Sequence, residues 1–161
     1  MGVVFDASDI LEIAIEIEKN GQKFYKKAAG IVKDSRTKQF LIELADMEKE
    51  HEDTFRQMME TLPAQETRVL DPDNEASLYL QAMADGNVFD VKKDLSNILA
   101  GRETAEQIFK IAIQAEKDSI IYYIGLEDFM ADEEDKKRVD TIIEEERGHI
   151  LELYKQLKEI G

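Results

Sequence analysis

Two short segments of the sequence combine the residue types and the spacing of a metal site. His51 and His149 are the only histidines of the chain, and each follows a glutamate by three residues, in Glu48-Lys-Glu-His51 and in Glu146-Arg-Gly-His149. On a helix, residues three apart share a face and lie about one turn from each other. Each pair can therefore offer a carboxylate and an imidazole to one metal ion.

An internal repeat doubles this arrangement. Residues 13–25, IAIEIEKNGQKFY, align without gaps on residues 111–123, IAIQAEKDSIIYY, and the alignment pairs Glu18 with Glu116. The same shift carries one Glu-x-x-His segment onto the other, so the repeat predicts two equal half-sites. Four carboxylates and two imidazoles suit a pair of iron or manganese ions. The predicted metal ligands are Glu18, Glu48, His51, Glu116, Glu146 and His149.

All four of these glutamates fall within the apolar stripe of their helix. Glu18, for example, shares its face with Leu11, Ala14, Gly21 and Tyr25. A buried carboxylate without a partner either costs folding free energy or takes up a proton, and metal ions would compensate four of them at once. A lone Glu is usually a solvated helix former, so the repetition is what favours a metal site. The glutamates that we expect to face solvent are Glu12, Glu16, Glu50, Glu52, Glu144 and Glu145.

Two tyrosines occupy equivalent positions of the repeat. Tyr25 and Tyr123 lie two helical turns beyond Glu18 and Glu116 on the same face, where a phenol could hydrogen-bond to a ligating carboxylate across the bundle. Ordinary aromatic packing is the alternative interpretation of both. Helical spacing alone explains the residues that we assign to the core or an interface, which are Phe24, Phe55, Phe109, Phe129, Met58 and Met59.

Four long helices must position these side chains. We predict them from about Ser8 or Asp9 to about Lys33, from Asp34-Ser35 to the residue before Pro63, from about 103 to 130, and from the acidic cluster 132–135 to about 159. Residues 62–102 form a crossover with short amphipathic stretches near 75–84 and 91–100, broken at Pro63, Pro72, Asp73-Asn74 and Gly86-Asn87. The sequence therefore predicts one all-α domain over 1–161, an antiparallel four-helix bundle of two helical hairpins joined by a long crossover.

Composition excludes several classes of function. The 161 residues are 43% hydrophobic, which is enough for one core, and the net charge of -15 disfavours binding to nucleic acid or to an anionic membrane surface. Without cysteine the chain has no disulfide, thiolate zinc site or iron-sulfur cluster. Because no targeting segment or membrane-length apolar run is visible, we expect a cytoplasmic protein.

The motif residues resemble those of the rubrerythrin group of the ferritin-like superfamily over nearly the whole chain. The carriers are Glu18 with Tyr25, Glu48-x-x-His51, Glu116-Lys-Asp-Ser with Tyr123, and Glu146-x-x-His149. The resemblance implies that Glu48 and Glu146 bridge two metal ions, that Glu18 and Glu116 bind terminally, and that each histidine completes one metal. Two features depart from that group, since the rubredoxin domain with its four cysteines is missing and Ser119 stands where a further ligating glutamate is common.

The same resemblance implies a function. We expect an oxidoreductase with two iron ions, for which manganese or zinc could substitute, that reduces hydrogen peroxide or dioxygen with electrons from an external donor such as a rubredoxin. A ferroxidase or iron-handling protein of ferritin type is one alternative. A metal-free helical interaction module is an alternative of another class. We also expect a homodimer, because bundles of this type usually bury an apolar outer face against a copy.

Overall fold

A computed structural model describes residues 6–62, 75–84 and 93–160. Its helices are α1 (Ala7–Ile31), α2 (Ser35–Glu60), α3 (Glu75–Ala84), α4 (Ala105–Phe129) and α5 (Glu133–Ile160), with a short 3₁₀ helix at Leu95–Ile98. The described residues contain no strand, so the all-α prediction is confirmed. The breaks predicted at Pro63, Pro72, Asp73-Asn74 and Gly86-Asn87 lie outside the described residues.

Side-chain caps set where the long helices begin. The backbone N–H of Asp9 donates to the carboxylate of Asp6 at 2.9 Å. In return, the backbone N–H of Asp6 donates to the carboxylate of Asp9 at 3.2 Å. The helix thus begins at Ala7, one residue before the predicted Ser8, but its cap is Asp6 and not Ser8 or Asp9, because Asp9 is the third helical residue of a reciprocal capping box. Asp34 caps α2 as expected, and Thr104 caps α4.

Short connections fold the four long helices into two hairpins, α1 with α2 and α4 with α5. Contacts between the hairpins show their relative direction. Tyr25 of α1 reaches Glu116 of α4, while Tyr123 reaches back to Glu18, so α1 and α4 run antiparallel. His51 of α2 contacts α5 near residue 146, whereas His149 of α5 approaches Glu48, so α2 and α5 are also antiparallel. The two hairpins thus face each other as a four-helix bundle.

The apolar core is divided into two clusters with a polar layer between them. One cluster surrounds Ile10, Leu11, Phe55, Tyr122 and Leu126, and the other surrounds Tyr25, Leu41, Ile108, Phe109 and Leu153. The predicted core residues Phe24, Phe55, Phe109, Phe129 and Met58 are buried, and Met59 packs at the edge of the first cluster. Along α1, the polar layer falls at Glu18, between the parts of the helix that supply the two clusters.

Helix α3 lies against α4 at Gly125. A β-carbon at Gly125 would overlap the Tyr79 ring, so glycine permits this close approach. The Tyr79 hydroxyl donates to the Ile121 carbonyl at 2.6 Å, and Leu80 is fully buried in the first core cluster. That residues 1–161 form a single domain stays a prediction. Among the described helices, none combines the length and the apolar character needed to cross a membrane.

Candidate metal centre

The polar layer contains all six predicted ligands. They come from the four long helices, and each side chain belongs to the buried set, with 7% or less of its surface exposed. The expectation that the four glutamates point inward is thereby confirmed. The buried residues concerned are Glu18, Glu48, His51, Glu116, Glu146 and His149.

Two groups of donor atoms are preformed in this layer. Glu18, Glu48, His51 and Glu146 each offer an atom to the first group, and within it all atoms lie within 4.8 Å of one another. Nδ1 of His51 is 3.6 Å from Oε2 of Glu18 and 3.3 Å from Oε1 of Glu146. This first group is the His51 half-site.

The second group is its counterpart in the repeat. It consists of Glu48, Glu116, Glu146 and His149, whose donor atoms also all lie within 4.8 Å of one another. Nδ1 of His149 is 3.4 Å from Oε1 of Glu116 and 3.1 Å from Oε2 of Glu146. This group is the His149 half-site, and the two imidazole rings lie 5.8 Å apart, centroid to centroid.

Two carboxylates belong to both half-sites. Glu48 presents Oε2 to His51 at 3.6 Å and Oε1 to His149 at 3.7 Å. Glu146 likewise presents Oε1 to one ring and Oε2 to the other. One oxygen directed to each side is what a carboxylate needs in order to bridge two ions. The bridging roles of Glu48 and Glu146, and the terminal roles of Glu18 and Glu116, stay predictions that this arrangement supports.

Gly21 makes room for one of the shared carboxylates. A β-carbon at this position would lie 3.3 Å from Cγ and 3.4 Å from Cδ of Glu48. Those separations are tighter than ordinary van der Waals contact, so a side chain here would press on Glu48. The equivalent position of the repeat is Ser119, whose hydroxyl donates to the Ala115 carbonyl at 3.0 Å.

Both tyrosines of the repeat contact a carboxylate of the polar layer. The Tyr25 hydroxyl donates to Oε1 of Glu116 at 2.6 Å, and the Tyr123 hydroxyl donates to Oε1 of Glu18 at 2.5 Å. Burial raises the pKa of both phenols well above its usual value, and the neighbouring carboxylates add to the shift. The tyrosines therefore remain hydrogen-bond donors at neutral pH and orient Glu18 and Glu116.

Replacing Tyr123 with phenylalanine is expected to weaken metal binding as well as the fold. Among the described residues Oε2 of Glu18 has no hydrogen-bond partner, so Tyr123→Phe removes the side-chain donor that reaches Oε1 of this buried carboxylate. We expect a loss of about 1–3 kcal/mol in the free energy of unfolding of the metal-free protein, measured by urea denaturation. We also expect weaker cobalt(II) binding, measured by titration.

The neighbouring Tyr122 is a matched control. It is equally buried, but its hydroxyl donates to the Ile10 backbone carbonyl at 3.0 Å and not to a metal-site carboxylate. Tyr122→Phe should therefore lower stability without changing cobalt affinity. Equal effects of the two substitutions on affinity would contradict an orienting role for Tyr123.

In the metal-free protein, protons on the histidines and on part of the carboxylates offset the buried negative charge of the cluster. Burial opposes a charge on His149, but its contacts with Glu116 and Glu146 raise its pKa to about 11, and the nearby carboxylates likewise raise the pKa of His51 against the effect of burial. Burial raises the pKa of Glu146 to about 8, assisted by the charge of Glu116. Burial also opposes ionisation of Glu116, yet hydrogen bonds from Glu146 and His149 lower its pKa to about 2. Metal binding must therefore displace protons.

The donor set fits two metal ions. Nδ1 of His51 and Oε2 of Glu18 are buried, face each other in one half-site, and have no hydrogen-bond partner among the described residues. Such atoms are costly unless a ligand satisfies them. Carboxylate oxygens together with imidazole nitrogens suit iron, manganese or zinc, whereas magnesium and calcium prefer oxygen alone.

Of the glutamates that were expected to face solvent, Glu52 is buried and Glu145 is half-buried. Glu52 is 5% exposed and accepts hydrogen bonds from Gln22 at 2.7 Å and from Arg56 at 2.6 Å, which compensate its buried charge. Glu145 is only half-buried, but it accepts a hydrogen bond from Nε2 of His51 at 2.7 Å. The repeat could not reveal Glu145, because the equivalent position in α2 is Met47.

Comparison with known proteins agrees with this geometry. The family model described as rubrerythrin matches residues 9–158, almost the entire sequence. The chain belongs to the rubrerythrin family. A search of curated proteins found no match.

Solved structures show the same fold. A ferritin-like diiron-carboxylate protein from Thermotoga maritima is 28% identical, with all of both chains covered and a TM-score of 0.78. A hypothetical protein from Pyrococcus furiosus is 23% identical, with 96% of this chain and 89% of the other covered and a TM-score of 0.65. The predicted ferritin-like bundle and the rubrerythrin resemblance are therefore confirmed. This rubrerythrin-family chain contains no cysteine and hence no rubredoxin iron site.

Proposed function

We propose that this rubrerythrin-family protein is a di-iron oxidoreductase that reduces hydrogen peroxide with electrons from an external donor. The observation that carries the proposal is the pair of shared carboxylates, each with one oxygen toward His51 and the other toward His149, inside a buried four-helix layer. Glu18 and His51 would hold one iron, Glu116 and His149 the other, and Glu48 and Glu146 both. Bound ferrous iron would supply the two electrons that convert hydrogen peroxide and two protons to two water molecules.

The protein itself contributes position and access. Tyr25 and Tyr123 fix the terminal carboxylates, and the two apolar clusters keep bulk water from the layer. A small opening between α1 and α4 reaches Glu48 and Glu116 past Gly21 and Ser119. We propose that peroxide enters by this route, which Gly21 lines.

The remaining partners follow from the same proposal. Because the chain has no cysteine and hence no rubredoxin iron of its own, we propose an external electron donor, for which a rubredoxin is our first candidate. Assembly as a homodimer and a cytoplasmic location are also proposals. The net charge of -15 disfavours nucleic acid and anionic membranes as partners.

The decisive experiment compares oxidants on one defined sample. Protein purified without oxygen is analysed for metal, loaded with about two equivalents of ferrous iron per chain, and mixed with peroxide or with dioxygen. We expect about one peroxide consumed per two irons oxidised, a new near-ultraviolet absorption, and a faster reaction than with dioxygen. Reduced rubredoxin should then restore the ferrous state and support turnover.

Zinc-loaded protein is the control, since zinc occupies the same donors without redox chemistry. It should consume no peroxide. A faster reaction with dioxygen, together with iron accumulating beyond about two per chain, would replace our proposal with a ferroxidase. If the protein bound no metal, the metal-free helical interaction module would be the remaining interpretation.

A further inference from the structure

The two histidines differ in the partner of their outer ring nitrogen. Both rings direct Nδ1 toward the carboxylates and Nε2 away from them. Nε2–H of His51 donates to Oε2 of Glu145 at 2.7 Å. Nε2 of His149 is buried, and no described residue makes a hydrogen bond with it. Within the part of the chain that the structure describes, one imidazole therefore has an outer hydrogen-bond partner and the other has none.

This difference is encoded in the sequence. The shift that superposes His51 on His149 superposes Met47 on Glu145, and each of these positions stands four residues before a histidine. A thioether is a weak acceptor, whereas a carboxylate accepts strongly from an imidazole N–H. The half-sites share their ligand types but differ in this outer contact.

A carboxylate behind a metal-bound imidazole affects the metal. It fixes the orientation of the ring and raises the basicity of the ligating nitrogen, and removal of such a partner typically weakens metal binding by about 10- to 100-fold. Glu145 is 41% exposed at the mouth of a surface pocket lined also by Glu50, Thr54 and Arg138. Solvent reaches this hydrogen bond, so we expect an effect near the lower limit, about tenfold.

We propose that Glu145 makes the His51 half-site the tighter of the two, so that the first metal ion fills it and the ion in the His149 half-site is the more readily exchanged. Glu145 acts through His51 and is a positioning residue. The inference rests on the proposed metal centre. It concerns the order and strength of binding, and therefore holds whichever oxidant the protein uses.

Anaerobic titration with cobalt(II), followed by calorimetry and by the visible spectrum, tests the inference. The wild-type protein should bind two ions in two resolved steps. Glu145→Gln should weaken the first step by about tenfold and leave the second unchanged, so that the two affinities converge. Glu50→Gln removes a carboxylate from the same pocket without a contact to His51, and it should shift neither step by more than about twofold.

The ring proton provides a readout that a merely structural role would not change. With one equivalent of cobalt(II), the Nε2–H of the ligating histidine gives a paramagnetically shifted proton signal, and its hydrogen bond to Glu145 should slow exchange with water. Glu145→Gln should accelerate this exchange while the circular dichroism spectrum stays that of the wild type.

Some outcomes would overturn the inference while sparing the proposed function. These are equal weakening of both steps by Glu145→Gln, an effect matched by Glu50→Gln, or no effect on the first step. Two resolved steps that respond as expected, in a protein that fails to reduce peroxide, would instead overturn the proposed function and leave the inference standing.

Discussion

Replacing Glu48 and Glu146 together with glutamine should abolish tight binding of both metal ions. Each of these carboxylates belongs to both half-sites, so their removal leaves every ion without its shared oxygens. We expect metal content after anaerobic loading and desalting to fall from about two ions per chain to near zero, with loss of peroxide reduction. Metal analysis and the peroxide assay measure these effects.

The same double substitution should stabilise the metal-free protein. Burial raises the pKa of Glu48 well above its usual value and that of Glu146 to about 8. A carboxyl group with a raised pKa in the folded state loses folding free energy as pH rises from its ordinary pKa toward the folded one. Relieving that cost should raise the free energy of unfolding by about 1–4 kcal/mol, and more at pH 8 than at pH 5.

Exposed glutamates on the same helices supply the control. Glu50→Gln with Glu144→Gln removes the same number of charges from α2 and α5, but neither residue belongs to the donor groups. Metal content and stability should stay close to those of the wild type. If the Glu48 and Glu146 variant kept two ions, or if its metal-free form were less stable than the wild type, our account of the centre would be wrong.

Loading the wild-type protein with ferrous iron should raise its melting temperature by about 15 °C or more. An ion that binds only the folded state, present at about 1,000 times its dissociation constant, adds about 4 kcal/mol per site. For a chain of this length, each kcal/mol corresponds to about 2–4 °C. Thermal denaturation followed by circular dichroism, under anaerobic conditions and with a chelator added afterwards, measures the shift and its reversal.

Magnesium distinguishes specific binding from neutralisation of surface charge. It is divalent and would screen the net charge of -15, but it does not favour imidazole ligands. We therefore expect a shift of only about 1–3 °C with magnesium, corresponding to about 1 kcal/mol or less. A magnesium shift as large as the iron shift would show that the stabilisation comes from the acidic surface and not from the buried layer.

The sequence predicted the parts of the site that follow from the periodicity of the α-helix. The positions of Glu18 and Glu116 within apolar stripes, and the one-turn spacing of each Glu-x-x-His pair, depend only on helix geometry. The repeat then related the two hairpins, and the short connections implied their antiparallel packing. The residues of the buried layer can therefore be identified from the sequence alone.

Features that depend on how helices meet could not be predicted in this way. Glu145 and Glu52 look like surface residues in their own helices, and only the partners brought by His51, Gln22 and Arg56 change that assignment. Similarly, the packing of Tyr79 on α4 requires a contact between segments more than 40 residues apart in the chain. Local patterns carry no information about such pairings.

The internal repeat has an evolutionary consequence. Each hairpin carries a glutamate on its first helix, a Glu-x-x-His pair on its second helix, and a tyrosine. A single such hairpin that associated with its own copy would form the same centre with two identical halves. Fusion of two such copies into one chain would remove that restriction. Gly21 could then differ from Ser119, and Met47 from Glu145, while the inner residues were retained. In a single chain, one half of the centre can thus change without altering the other.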